Sequence, residues 1–213
     1  MQKGGGSIKS GKFNPYIVVI AALLVALGGS WAYVLTRPQA PQLKPLTNTS
    51  TLVVAMDISG MISLDPAEAY EVASCMVVNQ LYDKLVELNV DPITGEVKIL
   101  PEVAESWEIG ADGRTWVFHI RRGITFADGT PLTADAVVFS LKRAIKLSKQ
   151  ASWIVSQFFD DNYTLADKSI VKLDNYTVQI TLPRKVAPQL FLSCLAFTSG
   201  AIVNPSVCLL YTS

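Results

Sequence analysis

Apolar and polar positions change rhythm several times along this chain, and each rhythm predicts an element. From Phe13 to Thr36 no residue is charged, and Tyr16 to Leu35 is long enough, at about 1.5 Å per residue, to cross a hydrocarbon core. Leu52 to Met56 is an unbroken apolar run, which predicts a strand buried on both faces, with Asp57 to Leu64 as the loop at its C-terminal end. Pro66 opens a helix predicted to reach about Leu88, with Ala69, Val72, Ala73, Met76, Val77, Gln80 and Leu81 on its buried face. Asn89 to Gly95 is turn-rich, and Val97 to Leu100 returns as a short strand.

The clearest alternation follows. Trp107 and Ile109 alternate with polar neighbours, Ala111-Asp112-Gly113 supplies a turn, and Trp116, Phe118 and Ile120 then share one side of a second strand. Ile124 to Phe126 reads as a short strand between the Arg122-Gly123 and Asp128-Gly129 turns. Thr133 is placed to cap a helix with Asp135 in its first turn, a stripe of Val138, Leu141 and Ile145, and Lys142, Arg143 and Lys146 towards its negative end. Ser148 to Leu165 loosens into a loop whose Trp153, Phe158, Phe159 and Tyr163 are expected to anchor it on the core. Ile170 to Leu173 and Thr177 to Leu182, around Asp174-Asn175, form a second hairpin with Val178, Ile180 and Leu182 on one face. Gln189 to Phe197 is a helix or a strand by periodicity alone.

Several blocks in register resemble the extracytoplasmic solute-binding proteins of peptide and nickel ABC transporters, the oligopeptide- and dipeptide-binding type. They are Ser63-Leu64-Asp65-Pro66, Leu81-Tyr82-Asp83-Lys84-Leu85-Val86, Thr94-Gly95-Glu96, Pro101 to Trp107, Phe118 to Gly123, Phe126 to Ala134 and Val137 to Arg143. The family usually has a polar residue where Ala127 stands and an Asp where Ala136 stands. The resemblance implies an α/β fold of the periplasmic-binding-protein type II, cluster C-like, with only the first lobe and its extra domain, preceded here by an N-terminal transmembrane helix. Residues 51–82 and 177–207 are then part of lobe I, and 83–176 the extra domain. The family's ligand-facing loop after the first strand corresponds to Ser59, Gly60, Met61 and Ile62, the substrate-contact candidates. The second lobe, expected to complete a clam-like cleft, lies beyond this sequence.

The remaining composition sharpens this picture at the two ends. Lys3, Lys9 and Lys12 stand without an acid in residues 1–15, a basic leader that predicts an inside N-terminus. Residues 16–36 are then an uncleaved anchor, or a signal peptide cut after Ala32. The apolar run through Tyr33, Val34 and Leu35 favours the anchor. Residues 37–50 hold Pro38, Pro41 and Pro45 and form a stiff tether. Residues 208–213 read as a translated sequencing adapter, so native sequence is expected to stop near Val207.

With 18 basic and 18 acidic residues the chain has no footprint for nucleic acid. Cys75 and Cys194 are expected as free thiols, although an exported compartment permits their disulfide. His119 has no partner at metal-ligand spacing, and Asp160-Asp161 reads as a solvated pair. No nucleophile motif or phosphate loop appears, so neither enzyme activity, cofactor nor metal is expected. The resemblance implies a monomeric, extracytoplasmic, membrane-anchored protein that captures a peptide or small solute for ABC permease subunits. A sensor or scaffold on the same fold, or binding of a nickel or other metal complex, are the alternatives.

Overall fold

The alternation of Thr115–Ile120 becomes β4, whose Trp116, Phe118 and Ile120 are buried while Thr115, Val117 and His119 on its other face are only half-covered. In the computed structural model, which describes residues 52–212, β4 is a central strand of a four-stranded antiparallel sheet. Its neighbours are β3 (Ala104–Ile109) and β6 (Thr177–Thr181), with β5 (Ile170–Asp174) beyond β6. Trp116 faces Ile180 and Phe118 faces Val178 across the β4–β6 ladder, so both predicted hairpins place their apolar sides on one surface. The Asp112 carboxylate closes the β3–β4 turn by accepting the N–H groups of Arg114 and Thr115 and the Thr115 hydroxyl, which lower its pKa to about 2. Gly113 sits in that turn at φ +65°, a conformation side chains with a Cβ rarely adopt.

The sheet's apolar surface is covered by helices. The longest, α2 (Ala134–Leu147), buries Val137, Leu141 and Ile145, with Val138 half-covered. Thr133 stands at its N-cap position in extended conformation, but its hydroxyl does not cap. It reaches the Asp135 carboxylate, while the Asn175 carbonyl accepts the Ala134 N–H. Residues 148–165, expected as a loop, instead form α3 (Trp153–Ser156), a 3₁₀ turn (Gln157–Phe159) and the start of α4 (Tyr163–Ser169). Phe158 and Phe159 are buried, whereas Trp153 is 51% exposed. The ambiguous segment resolves as a helix, α5 (Pro188–Leu195). Its Phe191 ring lies 4.9 Å from Trp116 and 5.0 Å from Phe158, centroid to centroid. A last helix, α6, spans Pro205–Thr212.

The first part of the chain departs most from expectation. Leu52 to Met56 forms no strand: Leu52, Val53 and Val54 are exposed, and none of the described strands pairs with them. A strand buried on both faces needs a ladder on each side, which the run cannot supply for itself. The expected helix of residues 66–88 shrinks to α1 (Val72–Leu81) and turns a different face inward. Ala73, Ser74 and Val78 are buried, while Val72, Met76 and Leu81 of the expected stripe are exposed. Its end is set by long-range partners: the Asp83 carbonyl accepts from Ile202 and the Lys84 carbonyl from Val103. Beyond it, β1 (Val86–Val90) pairs with β2 (Val97–Pro101) in a separate ribbon. Ile124 to Phe126 contributes only an isolated bridge, Thr125 to Pro131.

The chain divides into two compact units at Val54/Ala55, and all elements above belong to the second. The domain boundary expected at residues 176/177 runs between the two strands of the β5–β6 hairpin. The predicted transmembrane helix needs correcting. Residues 16–36 lie outside the described residues, and among the described residues no helix is long and apolar enough to cross a membrane. Among the described residues the fold class stands without a membrane-spanning element, and nothing in them supports the membrane partner or the anchored location.

The face of β4 should dominate stability. Phe118→Ala is expected to cost about 3–5 kcal/mol in denaturant unfolding. Leu173→Ala, on the exposed side of β5, should stay within about 0.5 kcal/mol.

Candidate functional site

Residues 57–71 carry the substrate-contact candidates and are built by short polar contacts, with little apolar packing. The Asp57 carboxylate accepts the Ser59 N–H at 2.8 Å, and the Ile58 carbonyl accepts the Met61 N–H at 3.0 Å, which folds Ser59 and Gly60 into a tight tip. Ser59, Gly60 and Ile62 are exposed and Met61 is half-buried. At the base, the Glu71 carboxylate accepts the Ile62 N–H at 2.8 Å, the Tyr70 N–H and the Ser74 hydroxyl. The Ile62 N–H is the main reason that the Glu71 carboxyl is held below its ordinary range.

The anchor of the segment is Asp65. Its carbonyl accepts the N–H groups of Glu68 and Ala69, and its carboxylate accepts that of Ala67 at 3.0 Å. The same carboxylate receives both arms of the Arg143 guanidinium from α2, at 2.9 and 2.6 Å, a bidentate pair bridging 78 residues of sequence. Burial alone would push the Asp65 carboxyl up. The Arg143 hydrogen bonds, the Ala67 N–H and the charges of Arg143 and Lys149 together outweigh it and hold the carboxyl below its ordinary value. Two further side chains latch the segment: Ser152 donates to the Ala67 carbonyl at 3.2 Å and Thr198 to the Ala69 carbonyl at 2.8 Å. The candidate loop thus stands on a base fixed to α2, to the start of α3 and to the Thr198–Gly200 turn.

Ser59, Gly60, Met61 and Ile62 line neither of two concavities among the described residues. One, of about 360 Å³, is bounded by residues including Leu81, Tyr82, Phe126, Leu132 and Ile202. The other, of about 460 Å³, is bounded by Leu64, Asp65, Tyr82, Arg143 and Val203 among others. Asp65, Glu71 and Arg143 were not singled out as site residues from the sequence. Asp65 and Arg143 sit within blocks that carry the family resemblance, but nothing local in the sequence signals that they meet. His119 lies 3.7 Å from the exposed Glu108 carboxylate. Asp160 pairs with Arg184 and Asp161 accepts from Ser156, so the two acids serve separate partners. Cys75 and Cys194 are free thiols, and burial pushes both up in pKa. Among the described residues no group of three His, Cys, Asp or Glu side chains could hold a metal ion.

Comparison with known proteins gives this geometry a context. Residues 98–207 match the family model described as bacterial extracellular solute-binding proteins, family 5 Middle. Over 145 residues the chain is 32% identical to the probable D,D-dipeptide-binding periplasmic protein DdpA of Escherichia coli, covering 68% of this chain and 26% of that protein. Over 179 residues it is 33% identical to the peptide transport periplasmic protein SapA of Salmonella typhimurium, covering 77% of this chain and 31% of that one. The chain therefore spans about a quarter to a third of the length of these relatives. In backbone it is similar to Haemophilus influenzae OppA in complex with RPPGFSPFR, with a TM-score of 0.61 at 25% identity, over 71% of this chain and 30% of that one.

The Asp65–Arg143 pair makes a pH-dependent contribution of known sign. Because the folded carboxyl is depressed, its stabilisation is fully present above the ordinary value of 3.8 and is lost as pH falls through the lower folded value. Asp65→Asn should therefore destabilise the chain by about 1–3 kcal/mol at pH 7. Melting curves of the two proteins are expected to draw together as the pH falls below 3.8.

Proposed function

This chain belongs to family 5 of the bacterial extracellular solute-binding proteins, and from that premise we propose that it captures peptides or similar small solutes outside the cytoplasm for delivery to an ABC permease. Family 5 proteins are non-catalytic transport components, as expected from the absence of a nucleophile or phosphate motif in the sequence. The observation that carries the reading is the family match over residues 98–207, joined by relatives named for dipeptide binding and peptide transport.

The loop chemistry supports a peptide-like solute. Ser59, Met61 and Ile62 spend their N–H groups within the segment, on Asp57, Ile58 and Glu71. Among the described residues nothing donates to the carbonyls of Ser59, Gly60 or Met61. Ser59 to Ile62 would therefore offer the solute chiefly acceptors, matched to the N–H groups of an extended peptide. Because the base is pinned by Asp65 and Arg143, little ordering of the loop is left to accompany binding. In this reading the protein acts as a monomer, and selectivity arises when a second lobe closes and excludes water.

Deleting the gene in its host should lower uptake of labelled tri-alanine at least about tenfold, the scale at which one capture route dominates entry, with uptake of free alanine unchanged. Undiminished peptide uptake after deletion would overturn the proposal.

A further inference from the structure

One group of side chains is left unused by this reading. Tyr70, on the pinned segment, meets Trp153 of α3 with ring centroids 6.4 Å apart and planes at 62°, and Phe197 at 6.2 Å and 56°. Tyr70 is 46% exposed and Trp153 is 51% exposed, while Phe197 is half-buried. Edge-on and tilted contacts of this kind leave ring faces open to a further aromatic group. Phe158 and Phe159, a few residues from Trp153, are in contrast fully packed inside.

The arrangement is held from three sides. Ser152, next to Trp153, is tied to the Ala67 carbonyl, and Thr198, next to Phe197, to the Ala69 carbonyl. Lys149 pairs with Glu68 at 3.7 Å and fixes the same junction from outside. Three rings from separate parts of the chain are thus brought together by side-chain bonds to one short backbone stretch, with their outer surfaces kept free.

The cluster is continuous with the candidate loop through a single carboxylate. Glu71 accepts the Tyr70 N–H with one oxygen and the Ile62 N–H with the other. Among the described residues no Lys, Arg or His lies within ion-pair distance of Glu71, and the nearby Lys149 is balanced by Glu68, so the rim beside the rings keeps a net negative charge. A negative rim favours a cationic group on the occupant and repels a carboxylate.

From this geometry we infer that Tyr70, Trp153 and Phe197 form a specificity subsite that takes an aromatic side chain of the captured peptide, preferring a neighbouring positive charge to a negative one. The inference rests on the peptide-capture reading and adds to it the class of side chain selected.

The test is uptake by the gene-deleted host carrying either the wild-type gene or a variant, with tri-alanine, Lys-Phe-Ala and Glu-Phe-Ala as competing labelled substrates. Wild type should favour Lys-Phe-Ala over tri-alanine by about fivefold, the scale of one aromatic contact, with Glu-Phe-Ala the weaker of the two aromatic peptides. Trp153→Ala should remove most of that ratio and Trp153→Phe should retain it, with melting temperatures confirming that both variants fold. Tyr70→Ala serves as an independent variant with the same expected loss. If tri-alanine uptake depends on the gene but the ratio is near one, or is unmoved by both Trp153→Ala and Tyr70→Ala, the subsite is refuted and the capture reading survives. If no peptide uptake depends on the gene, both fall.

Discussion

Burial of one face of β4 is the constraint from which the rest of this structure follows. Trp116, Phe118 and Ile120 are fully removed from water, and they can be so only if β6 pairs alongside and α2 and α5 lie across them. The Trp116 ring stacks on Phe118 and meets Phe191 of α5, which in turn meets Phe158 edge-on. Each large side chain is thus packed against another from a different element. Among the described residues two buried side-chain polar atoms, Trp116 Nε1 and Ser199 Oγ, have no hydrogen-bond partner, and at Trp116 apolar packing outweighs that lost bond.

On that apolar foundation the candidate site is assembled by a different kind of force. Residues 57–71 contain few large buried side chains and are held by carboxylates, hydroxyls and backbone groups. Asp65 is decisive because it satisfies three local N–H groups and simultaneously pairs with Arg143 on α2. An ion pair of intermediate exposure gains from reduced screening without the full cost of deep burial. Ser140, about one turn before Arg143 on α2, makes a similar link, donating to the Ala136 carbonyl and accepting the Val203 N–H at 2.9 Å. The helix therefore serves as the common post to which both chain segments beside the concavities are fastened.

This division of labour suits the proposed capture of a solute, which needs no bond chemistry. A rigid scaffold presents a small exposed loop and two half-exposed aromatic rings, and the titratable groups nearby are engaged in holding backbone in place. Asp65, Glu71 and Asp57 all have carboxyls held low by hydrogen bonds from N–H groups or from Arg143, so they stay ionised and work as fixed acceptors. Positioning of this kind reduces the entropy lost when a flexible solute is captured.

The sequence alone determined both sheet hairpins, the α2 helix and the identity of the core face. Each depends on alternation or a helical stripe within a few residues, and Asp112-Gly113 and Asp174-Asn175 mark the turns between them. The family was legible too, because its blocks are contiguous in sequence and fall in register. Tertiary structure decided what local rhythm left open. Val86 to Leu88 left the predicted helix for a ribbon because Asp83 and Lys84 bond to Ile202 and Val103, distant in sequence. The apolar run of Leu52 to Val54 stayed unpaired because a strand requires neighbours that no local pattern provides. Asp65 met Arg143, and Tyr70 met Trp153 and Phe197, only once α2, α3 and the Thr198 turn had folded against one short segment. Contacts between residues distant in sequence depend on where the burial of β4 puts their elements, and no periodicity within either partner encodes that position.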